Sequence, residues 1–250
     1  MPDPSATPDP SATPDPSATP DLSATPDLSV GVGPHPQPWP EDPRLDPDLL
    51  ETGDRRNVVD RYRYWRLDAI VADLDRHRHE FAVAIENWQH DLNIGTVVRT
   101  ANAFLAREVI IVGRRRWNRR GAMVTDRYQH VQHVATVADL IAHAEVNGYQ
   151  IVAVDNLPGA VPLESTQLPP NALLLFGQEG TGLTDEARAA ATLVCSIAQY
   201  GSTRSINAGV AAGIAMHAWI RQHAMKELPA MRLDIDIDDV RPGWEPSRHS

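Results

Sequence analysis

The chain reads as an α/β protein, a mostly parallel sheet flanked by helices. Two observations lead there. Between residues 81 and 223, apolar runs of strand length alternate with helical patterns. Three polar or glycine-rich segments each sit just after one of those runs, where open α/β sheets collect ligands at their strand ends.

The elements follow in order. Residues 1–54 are expected to be a disordered, acidic Pro- and Asp-rich tail. Its start repeats Asp-Pro-Ser-Ala-Thr-Pro at Asp3–Pro8, Asp9–Pro14 and Asp15–Pro20, with a variant at Asp21–Pro26. Such a segment cannot bury enough apolar surface to offset its ordering entropy. Its use is open between an interaction or solubilising arm and a passive leader. Residues 55–80 are expected to be a helical extension. Tyr62, Tyr64, Trp65, Leu67, Ile70, Val71 and Leu74 suit a surface helix from Val58 to about His79, and its arginines are either a solvated face or an RNA contact.

Residues 81–225 hold the main domain. Strands are predicted at Phe81–Glu86, Glu108–Val112, Ile151–Asp155, Ala172–Phe176 and Leu193–Ile197, with helices at about Asn93–Leu105, Val137–Asn147, Thr184–Ala191 and Ser205–His223. In the first helix Ile94, Val97, Val98, Ala101 and Leu105 share one face, which leaves Arg99 and Asn102 off the apolar stripe. Residues 226–250 form a second acidic tail.

Composition narrows the function classes. The 250 residues are 42% hydrophobic, enough for one domain with a sizeable core once the tail is set aside. The single cysteine, Cys195, excludes an intramolecular disulfide and a thiolate-rich metal site. No metal is expected, and a reducing, cytoplasmic setting follows. Ala208–Ile220 falls short of the roughly 20 apolar residues of a membrane span, so no membrane association is expected. The N-terminus has no basic start followed by an apolar stretch, so a secretory signal is not expected. The net charge of −10 is unevenly placed. Residues 1–54 hold 11 acidic side chains against Arg44, and residues 55–226 carry 19 basic and 16 acidic ones. The folded part is therefore mildly basic, and a nucleic-acid partner is not excluded.

The first of the three segments is Asn93 to Asn102, whose Gly95 would permit close backbone approach by a ligand; an ordinary capped amphipathic helix fits as well. The second runs from Leu174 to Leu183, a buried strand leading into Gly177, Gly180 and Gly182 and then a helix opening at Thr184. It is a strand-to-helix turn or a ligand loop. A phosphate loop is disfavoured, since the lysine of that pattern is missing and Glu179 would repel phosphate. The third, from Ile197 to Ile214, is a polar loop delivering Ser205 and Asn207 into an Ala- and Gly-rich helix; Ser205 is either a helix cap or a site residue.

Together and in this order the three segments resemble the motifs of the SpoU family of RNA 2′-O-methyltransferases, within the SPOUT superfamily. Asn93, Gly95 and Arg99 match the first, Phe176-Gly177 with Glu179 and Gly182-Leu183 the second, Ser205 and Asn207 the third. The third departs from the family's Ile-Pro-Met opening and Ser-Leu-Asn-Val-Ser core, reading Ile197-Ala198-Gln199 and Ser205-Ile206-Asn207-Ala208-Gly209.

The resemblance implies S-adenosylmethionine-dependent methyl transfer to a ribose 2′-hydroxyl of transfer or ribosomal RNA, and a deep trefoil knot in the C-terminal third. The donor would be held by Asn156, Leu157, Gly177, Glu179, Gly182, Ile197, Ile206 and Asn207. Arg99, Asn93, Glu179, Ser205 and Asn207 would serve catalysis, in a homodimer whose sites lie near the partner's first-motif arginine. Because a guanidinium is effectively always protonated, Arg99 is expected to bind the neighbouring phosphate and not to act as base. For RNA, Arg99 is joined by Arg114, Arg115, Arg116, Arg119 and Arg120 around Trp117, a composition suited to phosphates and base stacking; a solvated basic loop is the plainer alternative. Rival functions are base methylation on the same fold, a catalytically silent RNA-binding protein or assembly factor, and a metabolic nucleotide-binding enzyme.

Overall fold

In a computed structural model the described residues are 31–88, 93–178 and 180–225. The repeat tail and the acidic C-terminal segment predicted from sequence lie outside them. Seven strands form one sheet: β1 (Ala82–Asn87), β2 (Val109–Gly113), β3 (Val131–Val134), β4 (Gln150–Val154), β5 (Val161–Pro162), β6 (Ala172–Phe176) and β7 (Leu193–Ser196). Every pairing is parallel, in the order β3-β2-β1-β6-β4-β7-β5.

The central strands β1 and β6 are buried along their whole length, as parallel strands covered on both faces must be. One face packs against α3 (Ile94–Ala103) and α6 (Ala208–His223), with Phe81, Ile85, Val97, Phe176 and Trp219 in a shared core. The other face is covered by α4 (Val137–Asn147) and α5 (Asp185–Ala190) around Ile110, Leu140, Leu173 and Leu175. Local sequence sets the helix ends. Thr136 and Asp139 form a reciprocal capping box on α4, and Gly148 closes it at φ +70°. Among the described residues no helix is long and apolar enough to cross a membrane.

The five predicted strands are present, each within a residue or two of its predicted bounds. Two more were not foreseen. β5 has two residues, and β3, Val-Gln-His-Val, is a four-residue edge strand whose pattern is too short to declare a period.

The N-terminal region corrects the prediction twice. Residues 31–54, read as part of the disordered tail, are folded: α1 (Pro47–Thr52) is capped by Asp46, Leu50 is buried, and Val32 pairs with Asp54. The single helix expected from Val58 to His79 is a short α2 (Leu67–Asp75) after a 3-10 turn at Asp60–Tyr62. Between them Tyr64 adopts φ +62°, which no helix continues through. Its hydroxyl donates to Gly33 O at 2.6 Å, and the Arg44 guanidinium lies 4.2 Å over the Trp65 ring. These contacts span about twenty to thirty residues of sequence, and composition carries no trace of them.

Asp54 anchors this region. Its fully buried carboxylate accepts from Arg56 Nε (2.9 Å), Arg56 Nη2 (2.7 Å) and the amides of Arg56 (2.9 Å) and Tyr64 (3.0 Å). Burial pushes its pKa up, but the Arg56 side chain and the two amides outweigh that and hold it below the usual 3.8. A depressed carboxyl adds stability that is fully present above the unfolded value and is lost as pH falls through the folded one. Asp54→Asn is therefore expected to be less stable than the parent at neutral pH, with the gap closing below about pH 4. Acid unfolding followed by tryptophan fluorescence checks this; a gap constant down to pH 2 would count against it.

Candidate functional site

A cavity of about 680 Å³ opens at the carboxyl ends of β4, β6 and β7. Three loops wall it: residues 155–157 after β4, Gly177, Gln178 and residues 180–182 after β6, and Ile197, Gln199 and residues 204–207 after β7. Of the residues expected to hold the donor, Asn156, Leu157, Gly177, Gly182, Ile197, Ile206 and Asn207 all line it, together with Ser205. Glu179 lies outside the described residues.

The β6 loop folds back on itself. Gly182 N donates to Gln178 O at 3.1 Å, and a Cβ on Gly177 would stand 2.2 Å from the Gly182 carbonyl carbon. Gly180 and Gly182 take φ of +91° and +67°, where side-chain-bearing residues are strained. Two carboxylates not foreseen from sequence hold the turn. Asp155 Oδ2 accepts from Leu183 N at 3.2 Å, and the fully buried Glu86 accepts from Thr184 N (2.9 Å), Thr184 Oγ1 (2.7 Å) and Trp88 Nε1 (2.9 Å). Thr184 in turn caps α5. Each carboxylate closes an apolar run, which is the signal the sequence carries for them.

The β4 and β7 loops are tied together where Asn156 Nδ2 donates to Arg204 O at 2.9 Å. Gln199 stands where the family pattern has methionine; it lines the cavity, and its Oε1 is buried without a partner among the described residues. Beneath, burial pushes the Cys195 thiol up to about 11, so it stays protonated at neutral pH and offers no nucleophile.

Asn207 joins two helix starts. Its Oδ1 accepts from Gly209 N (3.0 Å) and Val210 N (3.2 Å), capping α6, while its Nδ2 donates to Asn93 Oδ1 (2.8 Å) at the start of α3. The cap falls to Asn207; Ser205 caps no helix. Asn207→Ala is expected to cost about 1 kcal/mol through the lost cap and to weaken ligand binding, because the cavity wall is no longer fixed to α3. Thermal unfolding with and without donor measures both; an unchanged melting temperature would refute the cap.

Gly95 corrects the sequence reading. The backbone it admits is that of Gly121 and Ala122, 2.7–2.9 Å from where its Cβ would be, and not a ligand. Arg99 lies on the exposed face of α3, outside the cavity lining, with no partner among the described residues. Asn102, also off the apolar stripe, has a buried, unpartnered Oδ1. Arg114, Arg115, Arg116, Arg119 and Arg120 are all exposed on the segment after β2. That segment is pinned by Asn87, buried at the end of β1, whose Nδ2 donates to Arg114 O (2.6 Å) and Arg116 O (3.1 Å).

A family model described as the SpoU rRNA Methylase family matches residues 80–217. The tRNA (guanosine(18)-2′-O)-methyltransferase of Escherichia coli (strain K12) is 29% identical over 163 residues, 64% of this chain and 70% of that protein. Among solved structures, the A. aeolicus TrmH/SpoU tRNA modifying enzyme superposes with a TM-score of 0.57 at 22% identity, over 64% of this chain and 84% of that one. The AdoMet-bound rRNA methyltransferase from Sinorhizobium meliloti gives 0.52 at 27%, over 60% of each chain. The family match spans more than half of the sequence and carries all three motif segments, so the chain belongs to the SpoU rRNA Methylase family.

Proposed function

We propose that this methyltransferase takes its methyl group from S-adenosylmethionine and delivers it to a ribose 2′-hydroxyl of transfer or ribosomal RNA, working as a homodimer with a trefoil knot in its C-terminal third. The observation that carries this reading is the convergence of every described residue expected to hold the donor on one cavity.

The cavity fits the donor. Its volume lies in the usual range for small-molecule sites. The glycines bring bare main chain to the cavity wall, and the buried Gln199 Oε1 has no hydrogen-bond partner among the described residues. When bound, S-adenosylmethionine supplies an electrophilic methyl on a sulfonium, with a neutral thioether as leaving group. The protein's task is then to position and activate a weak nucleophile. Asn156, Gly177, Gly182, Ile197, Ile206 and Asn207 would hold the donor, and Asn93 would fix the Asn207 wall. Arg99, permanently charged, would bind the phosphate beside the target ribose and stabilise the developing oxyanion, the proton leaving to water or a nearby group.

Arg99 stands outside its own chain's cavity, which supports a site completed by the partner's copy. Val210 and Ile214, exposed on successive turns of α6 beside α3, are the apolar surface such a partner would cover. The knot rests on the family, and the course of the chain leaves room for it. From β7, near the sheet edge, residues 197–207 pass the β4 loop, and α6 returns across β4 and β6 to α3.

Incubation with labelled S-adenosylmethionine and RNA from a host lacking the protein, followed by mapping of the modified atom, tests the reading. A single new 2′-O-methyl site is the expected result. A methylated base would overturn the ribose assignment, and absence of both donor binding and incorporation would overturn the whole.

A further inference from the structure

We propose that a second cavity, between the basic segment after β2 and the edge strand β3, is a nucleotide subsite that stacks an unpaired base of the RNA on Trp117 and holds its phosphate with Arg115 and Arg119. This deepens the function above and rests on RNA being the substrate.

The cavity measures about 500 Å³, room for one nucleotide, and is lined by Arg115, Trp117, Arg119, Asp126, Gln132 and His133 among others. Trp117 is half-buried and packs on the core beneath it, so its ring is a fixed platform and not a waving side chain. The Arg119 guanidinium lies over that ring, 5.5 Å from its centre, so a base stacking there takes its place and moves it aside. Arg119 pairs with the largely buried Asp126 at 3.3 Å but is itself 74% exposed, which leaves its outer N–H groups open to a phosphate at the cavity mouth. Arg115 is exposed and has no partner among the described residues. Its backbone is nonetheless held in place, because Asn87 bonds the carbonyls of Arg114 and Arg116 on either side. The His133 ring N–H donates to Gly113 O at 2.7 Å and fixes the floor. An anchored aromatic ring in a cavity lined by two arginines is the chemistry of a single-strand nucleotide site, with stacking for the base and charge for the phosphate.

Position then defines the substrate class. β3 is separated from β6 by β2 and β1, about 14 Å at the usual strand spacing. The base in this cavity therefore belongs to a different nucleotide from the one methylated beside β6. In an A-form duplex the bases are stacked and side chains cannot read the narrow major groove, so only an unpaired base reaches Trp117. The substrate is an RNA with unpaired nucleotides near the modified one, not a continuous duplex.

The test compares a short labelled oligouridylate, the same backbone without bases, and a blunt RNA duplex, bound to the full chain at one salt concentration. The oligouridylate is expected to bind about tenfold more tightly than the base-free strand. Trp117→Ala should remove that advantage, Trp117→Phe should keep most of it, and duplex binding should not move. S-adenosylmethionine affinity, measured by calorimetry, should be the same in all three proteins. Equal binding of the base-bearing and base-free strands by the parent protein overturns the subsite, as does a Trp117→Ala loss shared equally with duplex. Donor binding without base dependence sinks the subsite alone; absence of donor binding in the parent sinks the functional reading.

Discussion

Replacing Arg99 with alanine is expected to slow methyl transfer about 10²–10³-fold, the usual cost of one group aimed at developing charge, while leaving donor affinity unchanged. The two readouts separate because Arg99 is exposed on α3 and absent from the lining of its own cavity. Arg99→Lys keeps the charge and loses the planar fork. It should retain measurable turnover that rises with pH, since the nucleophile is more often ionised there while the lysine stays charged to about pH 10. Loss of turnover at every pH with RNA binding intact would sink the electrostatic role. Mixing Arg99→Ala with a variant defective in the donor cavity tests the dimer. Heterodimers holding one sound cavity and one sound Arg99 from the other chain should regain partial activity; no recovery would place Arg99 in cis.

What the sequence disclosed and what it hid divide along a physical line. Strands such as Ala172–Phe176 announce themselves because burial on both faces demands a continuous apolar run. The three motif segments announce themselves because a ligand loop needs glycines and amides at strand ends. The hidden parts depend on contacts distant in sequence. Residues 31–54 look like a tail by composition, yet Asp54 is fully buried on Arg56 and Tyr64, and Tyr64 reaches back to Gly33. Arg99 could be named as a site residue, but its standing outside its own cavity is a fact of helix packing that no spacing encodes. Gly95 signals close approach, and the neighbour is the backbone of Gly121 and Ala122; local sequence shows that space is needed and not what fills it.

The β6 loop is where that distinction makes the sharpest prediction. Gly180 and Gly182 need their positive φ, but Gly177 does not take one; it is glycine because the backbones of Gly182 and Leu183 stand 2.2–2.5 Å from where a Cβ would be. A methyl group there cannot be absorbed by a rotating side chain, since every neighbour is main chain, and the turn held by Glu86 and Asp155 has to open. Overpacking of this kind typically costs about 1–3 kcal/mol, and the opened turn displaces Gly177 and Gly182 from the cavity wall. Gly177→Ala is therefore expected to weaken S-adenosylmethionine binding at least about tenfold by calorimetry, with a matching loss in donor-induced thermal stabilisation. Gly201→Ala is the control: it lies in the β7 loop bordering the same cavity, takes no positive φ and has nothing within 4 Å of its added carbon, so its donor affinity should be that of the parent. Equal affinity in both variants would mean that the crossing of Gly177 and Gly182 is not what shapes the donor site; loss in Gly177→Ala alone would tie binding to that single close approach.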